Sequence, residues 1–580
     1  MRWFFVFIIV LWPAFGQAQS TPSAGDAGYL AQLLKDSLSD RGRMVEIFGF
    51  EGALSSKATI KQLTIADDDG IWITATGLVL DWQRSALLSG ELRVREFSAK
   101  SITMTRLPEG QPRQPGFEAK AFALPEIPLS ILIERVSAAE IILDKAVLGD
   151  AFLGTLQGDL ALNRDQKAAN LTLKRQDKDH PDRLDLALKF NPQTQDLDLN
   201  LTLAEGPNGL IATKLNIPNQ PDLLVSLRGA GPLANFSARF SLAAAGVTHL
   251  GGLVTIAKEV STADERTKGE NPTQRTRFNA RLEGDLRPLM SAHTGLFFGE
   301  KSKLDLQGHL GGAQRLTIDR LALHTKALAL TADLALGQDG VPKRFHVTGK
   351  ISGAEEQVLL PNFGGQAAQL KYAEIDLTFD AAQSDAWSGT LLLEGLSRPD
   401  VTADLLRLTG SGRILPSVSA TLGAVASGQF TAEAKGVHAQ PSSAFYLFGS
   451  DMNAAFETQW RQAEQSLRMS KISLESPNVR LAGQATLGLT GQLPLEMKAR
   501  LSLRDLSRVG PLVGQPLAGS GALEVDGTYT LLSGGFDLEG QLESKNLALG
   551  HSMIDVSLRE ASILDFSVKR DLQGLFLRKL

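Results

Sequence analysis

The sequence contains no cysteine and few aromatic residues, and both absences restrict what the chain can do. With Cys at 0, the chain has no disulfide, no thiolate nucleophile and no cysteine metal ligand. Aromatic residues make up 6% of the chain, with 4 Tyr and 6 Trp, which provides few platforms on which a polysaccharide enzyme could stack sugars. A net charge of -5 and the lack of a long basic run argue against a nucleic-acid surface.

Catalytic motifs are also missing. The 8 histidines stand singly, without a second histidine or a carboxylate at the spacing of a helical metal site. The chain has neither a Gly-x-Ser-x-Gly nucleophile elbow nor a glycine-rich phosphate loop followed by lysine. Ser411 and Ser520 each lie between two glycines, inside strand-like patterns. The sequence therefore predicts a protein that is not an enzyme and that uses no cofactor or metal.

A strict alternation of leucine with other residues runs through most of the chain. Residues 184–188 read Leu-Asp-Leu-Ala-Leu, and residues 197–203 read Leu-Asp-Leu-Asn-Leu-Thr-Leu. The same alternation returns at residues 328–336 and 493–503. A period of two places every leucine of a strand on one face of a sheet and the intervening polar residues on the other.

This alternation predicts a mainly β protein in which a very long, curled antiparallel sheet forms an open hydrophobic groove. The pattern changes little along 580 residues, which favours one array over separate globular domains. At ~12 residues per strand, the array would hold roughly 35 strands. The residues predicted to line the groove and contact lipid are Leu184, Leu186, Leu188, Leu197, Leu199, Leu201, Leu203, Leu328, Leu330, Leu334, Leu336, Leu493, Leu495, Met497, Leu501 and Leu503.

The first residues are typical of an exported protein. Arg2 precedes an apolar run that Pro13 ends, and small residues follow at the positions read for cleavage between Ala18 and Gln19. Residues 1–18 are predicted to be a signal peptide. The alternative is a short inner-membrane anchor, although the apolar run is shorter than the ~20 residues of a spanning helix. Residues 19–42 are predicted to form an amphipathic helix that caps the first strands, with membrane-surface docking as the alternative.

Beyond residue 42, the predicted order is a β segment at 43–106, a proline-rich loop at 107–128 and the repetitive groove at 129–580. A hairpin turn is predicted between Asp67 and Gly70, since Asp-Gly is typical of such turns. A calcium-binding loop is the rejected alternative, because the three consecutive aspartates lack the alternating spacing of calcium ligands. Short helical inserts with glycine-rich links are predicted at 285–299 and 505–519, each leading into an alternating strand. A longer helical insert is predicted at 443–460.

Several segments carry a resemblance to a known family. Residues 28–34 (Gly-Tyr-Leu-Ala-Gln-Leu-Leu), 47–60 and 122–128 (Phe-Ala-Leu-Pro-Glu-Ile-Pro) resemble the N-terminal region of the translocation and assembly module subunit TamB family, within the AsmA-like, repeating β-groove proteins. Shorter matches at 63–67, 80–82, 85–88 and 131–149 extend the resemblance over the N-terminal part of the chain, and the rest is similar in pattern only. The family's C-terminal domain has no counterpart before Leu580, where the strand pattern stops, so we expect this chain to be a truncated form.

The resemblance implies a periplasmic bridge associated with the inner membrane of a Gram-negative bacterium. Such a bridge supports outer-membrane protein assembly and protein secretion, and it moves phospholipid between the membranes along its groove. Implied partners are the inner membrane, phospholipid acyl chains and an Omp85-type (TamA-like) outer-membrane partner, but not nucleic acid. The alternative interpretation is an exported β-solenoid, either an adhesin or the passenger of an autotransporter, which is also long, repetitive and without cysteine.

Overall fold

A computed structural model describes residues 44–52, 56–67, 69–89, 91–108, 130–163, 165–176, 181–260, 274–311, 315–353, 357–361, 367–416, 423–571 and 574–579. The predicted signal peptide with its cleavage site at Ala18 and Gln19, the predicted capping helix and most of the predicted proline-rich loop lie outside these residues. The described residues form two compact units. The first extends to Ser291 and includes Leu310 and Gly311, and the second contains the others.

The first unit consists of thirteen strands. They are β1 (Met44–Glu51), β2 (Lys57–Asp67), β3 (Gly70–Gln83), β4 (Glu91–Met104), β5 (Ser130–Leu143), β6 (Phe152–Leu162), β7 (Lys167–Arg175), β8 (Arg183–Phe190), β9 (Asp196–Glu205), β10 (Leu223–Pro232), β11 (Phe236–Ala244), β12 (Val247–Val260) and β13 (Gln274–Gly284). Each strand pairs with the next in the chain, and every pair is antiparallel except β4 with β5.

The parallel pair explains the position of the proline-rich loop. Two parallel strands that are adjacent in the sheet need a long connection, because the chain must return to the edge from which it started. Residues 105–129 make that connection between β4 and β5. The predicted hairpin is present as well, since β2 and β3 pair antiparallel and Asp67 lies opposite Gly70.

The remaining strands belong to the second unit, apart from the last two residues of β14. They are β14 (Ser302–Gly311), β15 (Leu316–His324), β16 (Leu328–Leu336), β17 (Pro342–Ser352), β18 (Val358–Leu359), β19 (Gln369–Leu370), β20 (Tyr372–Asp380), β21 (Ala386–Ser397), β22 (Val401–Leu415), β23 (Val425–Lys435), β24 (His438–Ala439), β25 (Met452–Arg461), β26 (Ser466–Glu475), β27 (Val479–Gly488), β28 (Pro494–Leu503), β29 (Ala518–Thr530), β30 (Gly535–Ala548), β31 (Ser562–Asp571) and β32 (Gly574–Lys579).

Helices are short and lie between strands. The α-helices are α1 (Lys145–Leu148), α2 (Leu210–Lys214), α3 (Ala292–Phe298), α4 (Gly510–Val513) and α5 (Ser552–Ser557). The 3-10 helices span Arg84–Ser89, Leu233–Asn235, Arg287–Leu289, Ala444–Leu447 and Leu506–Arg508. The inserts predicted at 285–299 and 505–519 are therefore present, and each leads into a strand, β14 or β29.

The predicted long helix at 443–460 is wrong. Only Ala444–Leu447 is helical, and from Met452 onward the segment belongs to β25. Met452, Phe456 and Trp460 are four residues apart, a spacing that suits a helical stripe as well as one face of a strand. The segment is a strand and not a helix because β25 pairs antiparallel with both β23 and β26.

The predicted fold class is confirmed. The described residues are mainly β, and their 32 strands belong to one open sheet with short helical inserts. Among the described residues, β1 pairs only with β2 and β32 pairs only with β31. Apart from the parallel pair β4 and β5, the strand pairs described here are antiparallel, and most join strands that are consecutive in the chain, as in a meander.

Candidate functional site

The register of the first unit gathers the alternating leucines on one face, called the apolar face below. Residues directly opposite each other in an antiparallel pair point to the same side of the sheet. Leu184 of β8 lies opposite Leu173 of β7 and Leu203 of β9. The row continues through Val225, Leu242 and Leu250 on β10, β11 and β12. Alternation within each strand thus becomes a continuous apolar row across six strands.

The second unit has a longer row of the same kind. No polar side chain interrupts it between β15 and β31 in the part of the chain that the structure describes. Its members, each opposite the next, are Leu323, Leu330, Gly349, Ile375, Leu391, Leu408, Ala432, Ala454, Leu474, Leu481, Leu501, Leu523, Leu542 and Leu564. The apolar face of the second unit is therefore continuous as well.

This face is covered only in part. The predicted lining residues are all half-buried, neither enclosed as in a packed core nor fully exposed. Several intervening side chains on β9 and β28 are more exposed: Asp198, Asn200, Glu496 and Lys498 are open to solvent. In a closed β-sandwich a second sheet would bury such leucines completely. The described residues place no second layer over them.

Some groups of fully buried residues lie within β1 to β5, and others lie where strands meet the inserts. One buried cluster joins Ala212 of α2 and Ile217 to Leu223 and Ala244 at the ends of β10 and β11. In the second unit, Phe297 of α3 packs with Ala327 and Val358. In an antiparallel meander, strands that run in the same direction end on the same side of the sheet, so the inserts that follow them lie together at that end of the strands. In the second unit, α3, Ala444–Leu447, α4 and α5 do so.

Hydrogen bonds connect neighbouring inserts at this end of the strands. The buried Asn478 donates its side-chain amide to the carbonyls of Leu447, at 2.9 Å, and Asp505, at 3.3 Å. It accepts the backbone N–H of Asp505 at 2.7 Å. The guanidinium of Arg508 lies over the ring of Tyr446 and donates to the Tyr446 carbonyl. These contacts hold the segments before β25 and β29 together.

The opposite face is polar and its side chains pair across strands. Thr172 donates to Asp185 at 2.7 Å, and the hydroxyls of Ser226 and Ser241 are 2.7 Å apart. Such pairs satisfy the polar groups on their own face of the sheet. In the described strands the two faces therefore differ sharply in chemistry, because polar side chains pair across strands on one face and apolar side chains form the rows of the other.

An ion pair on this face perturbs the ionisation of its members. Lys350 and Tyr372 both donate to Glu374, at 3.0 Å and 2.9 Å. The hydrogen bond from Lys350, followed by that from Tyr372, lowers the pKa of the Glu374 carboxyl below its usual value. The same contacts raise the pKa values of the Lys350 ammonium and the Tyr372 hydroxyl. Pairing stabilises the charged forms on a surface that faces water.

A cavity of about 1150 Å³ in the second unit lies along strands from β21 to β29. Most strands contribute three consecutive residues to its lining, such as 484–486 from β27 and 496–498 from β28. The outer members of these triplets belong to the polar face, where Gln484 lies opposite Lys498. The central members, such as Ala485 and the predicted lining residue Met497, belong to the apolar face, so residues of both faces border the cavity.

No catalytic arrangement is assembled in the described part of the chain. Ser411 and Ser520 lie inside β22 and β29, away from any sharp strand-to-helix turn. No group of three or more His, Asp or Glu residues that could hold a metal ion occurs among the described residues. Asp67, next to the hairpin turn, accepts hydrogen bonds from both terminal nitrogens of Arg106.

Sequence reasoning missed a group of aromatic residues on the apolar face of the second unit. Phe345 and Phe379 have ring centroids 5.4 Å apart, and Phe379 lies opposite Trp387. The rings of Trp387 and Phe430 are 5.5 Å apart, and those of Phe430 and Phe456 are stacked at 5.0 Å. Their strands are spread over more than a hundred residues of sequence, so only the register brings them together.

Comparison of the chain with protein-family models, with curated proteins and with solved structures finds no match. Within the described residues, none of the helices has the length and apolar character that crossing a membrane requires.

Proposed function

We propose that this protein is a lipid-conducting bridge of the bacterial envelope, of the kind that the TamB family represents. In this proposal the chain is exported to the periplasm and held at the inner membrane. Its apolar face forms a groove that carries the acyl chains of phospholipids, while the headgroups remain in water. The bridge thereby supports phospholipid transport toward the outer membrane, together with outer-membrane protein assembly and secretion.

The observation that carries the proposal is the continuous, half-buried apolar face. Leu199 and Leu501, on β9 and β28, represent the first and second units: each is half-buried and lies among apolar neighbours. The backbone groups beneath them are already used in the sheet. A polypeptide laid on this face would leave its own N–H and C=O groups without partners, which is costly. An acyl chain has no hydrogen-bonding groups, so it loses no hydrogen bond when it lies on this face.

The energetics favour a continuous apolar surface. Two acyl chains hold roughly 30 methylenes, and exposing each to water costs about 0.8 kcal/mol, so a phospholipid crossing water meets a barrier on the order of 20 kcal/mol. Contact with an uninterrupted row of leucine, isoleucine and alanine side chains removes part of that cost at every step. An aliphatic lining offers no hydrogen bonds that would hold the lipid at one position.

The sequence adds two supports for this location and role. The N-terminal pattern is typical of an exported chain, and residues 28–34, 47–60 and 122–128 resemble the TamB family. An Omp85-type outer-membrane partner belongs to the same proposal. The exported solenoid receives no comparable support, because β-solenoids stack successive turns in parallel, whereas the strand pairs here are antiparallel except β4 with β5.

Site-specific photo-crosslinking in cells tests the proposal. A photo-reactive residue at Leu199 or Leu501 should give phospholipid adducts, because both side chains belong to the apolar face. The same residue at Asn200 or Arg500, the adjacent positions on the polar face, should give none. Adducts in equal yield from both faces, or from neither, would refute a one-sided lipid path.

A further inference from the structure

Five aromatic residues form one patch on the mainly aliphatic apolar face of the second unit. They are called the aromatic cluster below: Phe345, Phe379, Trp387, Phe430 and Phe456. They occupy β17, β20, β21, β23 and β25, whose pairing makes them neighbours through β22. Phe379 is buried, and the other four rings are half-buried. The cluster therefore presents ring surface on the same face as the long leucine row.

Two glycines hold the central rings close to the sheet. A Cβ at Gly428 would lie 2.6 Å from the Trp387 ring and 2.8 Å from the Phe430 ring. A Cβ at Gly410 would lie 2.7 Å from Phe430 and 3.1 Å from Trp387. The rings thus occupy the space that side chains at these two positions would fill. Covering strand glycines with aromatic rings is a known way of packing a sheet, and here it produces a broad, low surface.

The cluster presents carbon and no free polar group. The one nitrogen among its five side chains, Nε1 of Trp387, donates a hydrogen bond to the carbonyl of Ser427 at 2.8 Å. An occupant with its own hydrogen-bonding groups would find no partner there, and a polypeptide is disfavoured for that reason. Aromatic rings offer a large contact area to a hydrocarbon chain.

We propose that the aromatic cluster is a retention site for phospholipid acyl chains, at which a lipid moving along the apolar face of the second unit pauses. This inference rests on the proposed function, since it names one position on the proposed lipid path. Elsewhere the face is mainly aliphatic, and other aromatic residues on it, such as Tyr529 and Phe566, lie on strands far from the cluster. At the cluster, adjoining rings give more contact area per strand. Lipid should therefore be enriched there.

Crosslinking from matched small positions tests the enrichment without removing a ring. Thr458 lies on the apolar face opposite Gly428, next to the cluster. Ala499 lies on the same face of β28, among aliphatic neighbours. The full-length protein, purified from cells after irradiation, should carry about threefold more phospholipid adduct from Thr458 than from Ala499. With Phe430→Leu present, the yield at Thr458 should fall to the level at Ala499. Gln429→Ala, its neighbour on the polar face, should leave the ratio unchanged.

The possible outcomes separate this inference from the function on which it rests. Equal yields from Thr458 and Ala499 would overturn the retention site and leave the lipid path intact. A higher yield at Thr458 that survives Phe430→Leu would also overturn it, because the rings would not be the cause. No adduct from either position, nor from Leu199 in the first unit, would overturn the proposed function itself.

Discussion

Leu188 of β8 lies directly opposite Leu199 of β9, and both side chains are half-buried although each has apolar neighbours on both sides. A pair of opposed leucines in a packed core would be fully enclosed. Their partial exposure recurs at every predicted lining position, so the apolar face is a surface. That property is the basis of the lipid path proposed here.

A carboxylate on the apolar face should block that path. Changing both Leu199 and Leu201 to Asp places two charges on the face, and an acyl chain that covers them must strip them of water. We expect phospholipid crosslinking from the adjoining Leu227, which lies opposite Leu201, to fall about tenfold. The matched control is Asn200→Asp, which adds a carboxylate on the exposed polar face. An undiminished yield in the double variant would contradict the prediction.

Gly428 should not tolerate a methyl group. In Gly428→Ala the new Cβ would meet the rings of Trp387 and Phe430 at less than 3 Å, and relieving that overlap should cost about 1–3 kcal/mol of unfolding free energy. Gly251→Ala is the matched control, because its nearest neighbour would be a carbonyl oxygen at 3.7 Å. Urea unfolding of the two variants measures the difference. Equal midpoints would show that the rings move aside freely.

Removing the side chain of Asn478 should loosen the two inserts that it connects, Ala444–Leu447 and Leu506–Arg508. The buried amide forms hydrogen bonds with the backbone of both Leu447 and Asp505. Asn478→Ala leaves these backbone groups without a partner, which should lower the unfolding free energy by about 1–3 kcal/mol. Hydrogen exchange should become faster at Ala444–Leu447 and Leu506–Arg508. Asn453→Ala, at an exposed position on β25, should leave exchange in both segments as it is. Faster exchange in only one segment would mean that Asn478 does not couple them.

Acid should weaken the insert that Asp505 caps. The hydrogen bond from Ser507 lowers the pKa of the Asp505 carboxyl below 3.8. A lowered pKa in the folded state adds stability that is fully present above the unfolded pKa and is lost as pH falls through the folded pKa. Asp505→Asn keeps an acceptor oxygen and removes the charge.

The unfolding free energy of the natural chain should therefore exceed that of Asp505→Asn at pH 7, and the two should converge as the pH drops below about 4. Chemical unfolding at a series of pH values measures this difference. A gap that stays constant down to pH 3 would rule out titration of Asp505 as its source.

The sequence alone determined the class of structure and the chemistry of its faces. Period-two alternation is a local property: once a segment such as residues 197–203 is extended, the geometry of the strand places its leucines on one side whatever its neighbours are. Short inserts were also readable, since Asp505 followed by a glycine-rich link marks a break in the alternation.

The tertiary structure alone decided which rows form and how far they are covered. Phe345 and Phe456 lie on one patch only because several intervening strands pair in a particular register, and no local pattern encodes a register between distant strands. The segment at 443–460 shows the same limit, because the spacing of Met452, Phe456 and Trp460 suits a helix until β23 and β26 supply hydrogen-bond partners. Half-burial of the leucines is likewise a property of the assembled sheet: it depends on the absence of a covering layer over the described strands, which no single strand specifies.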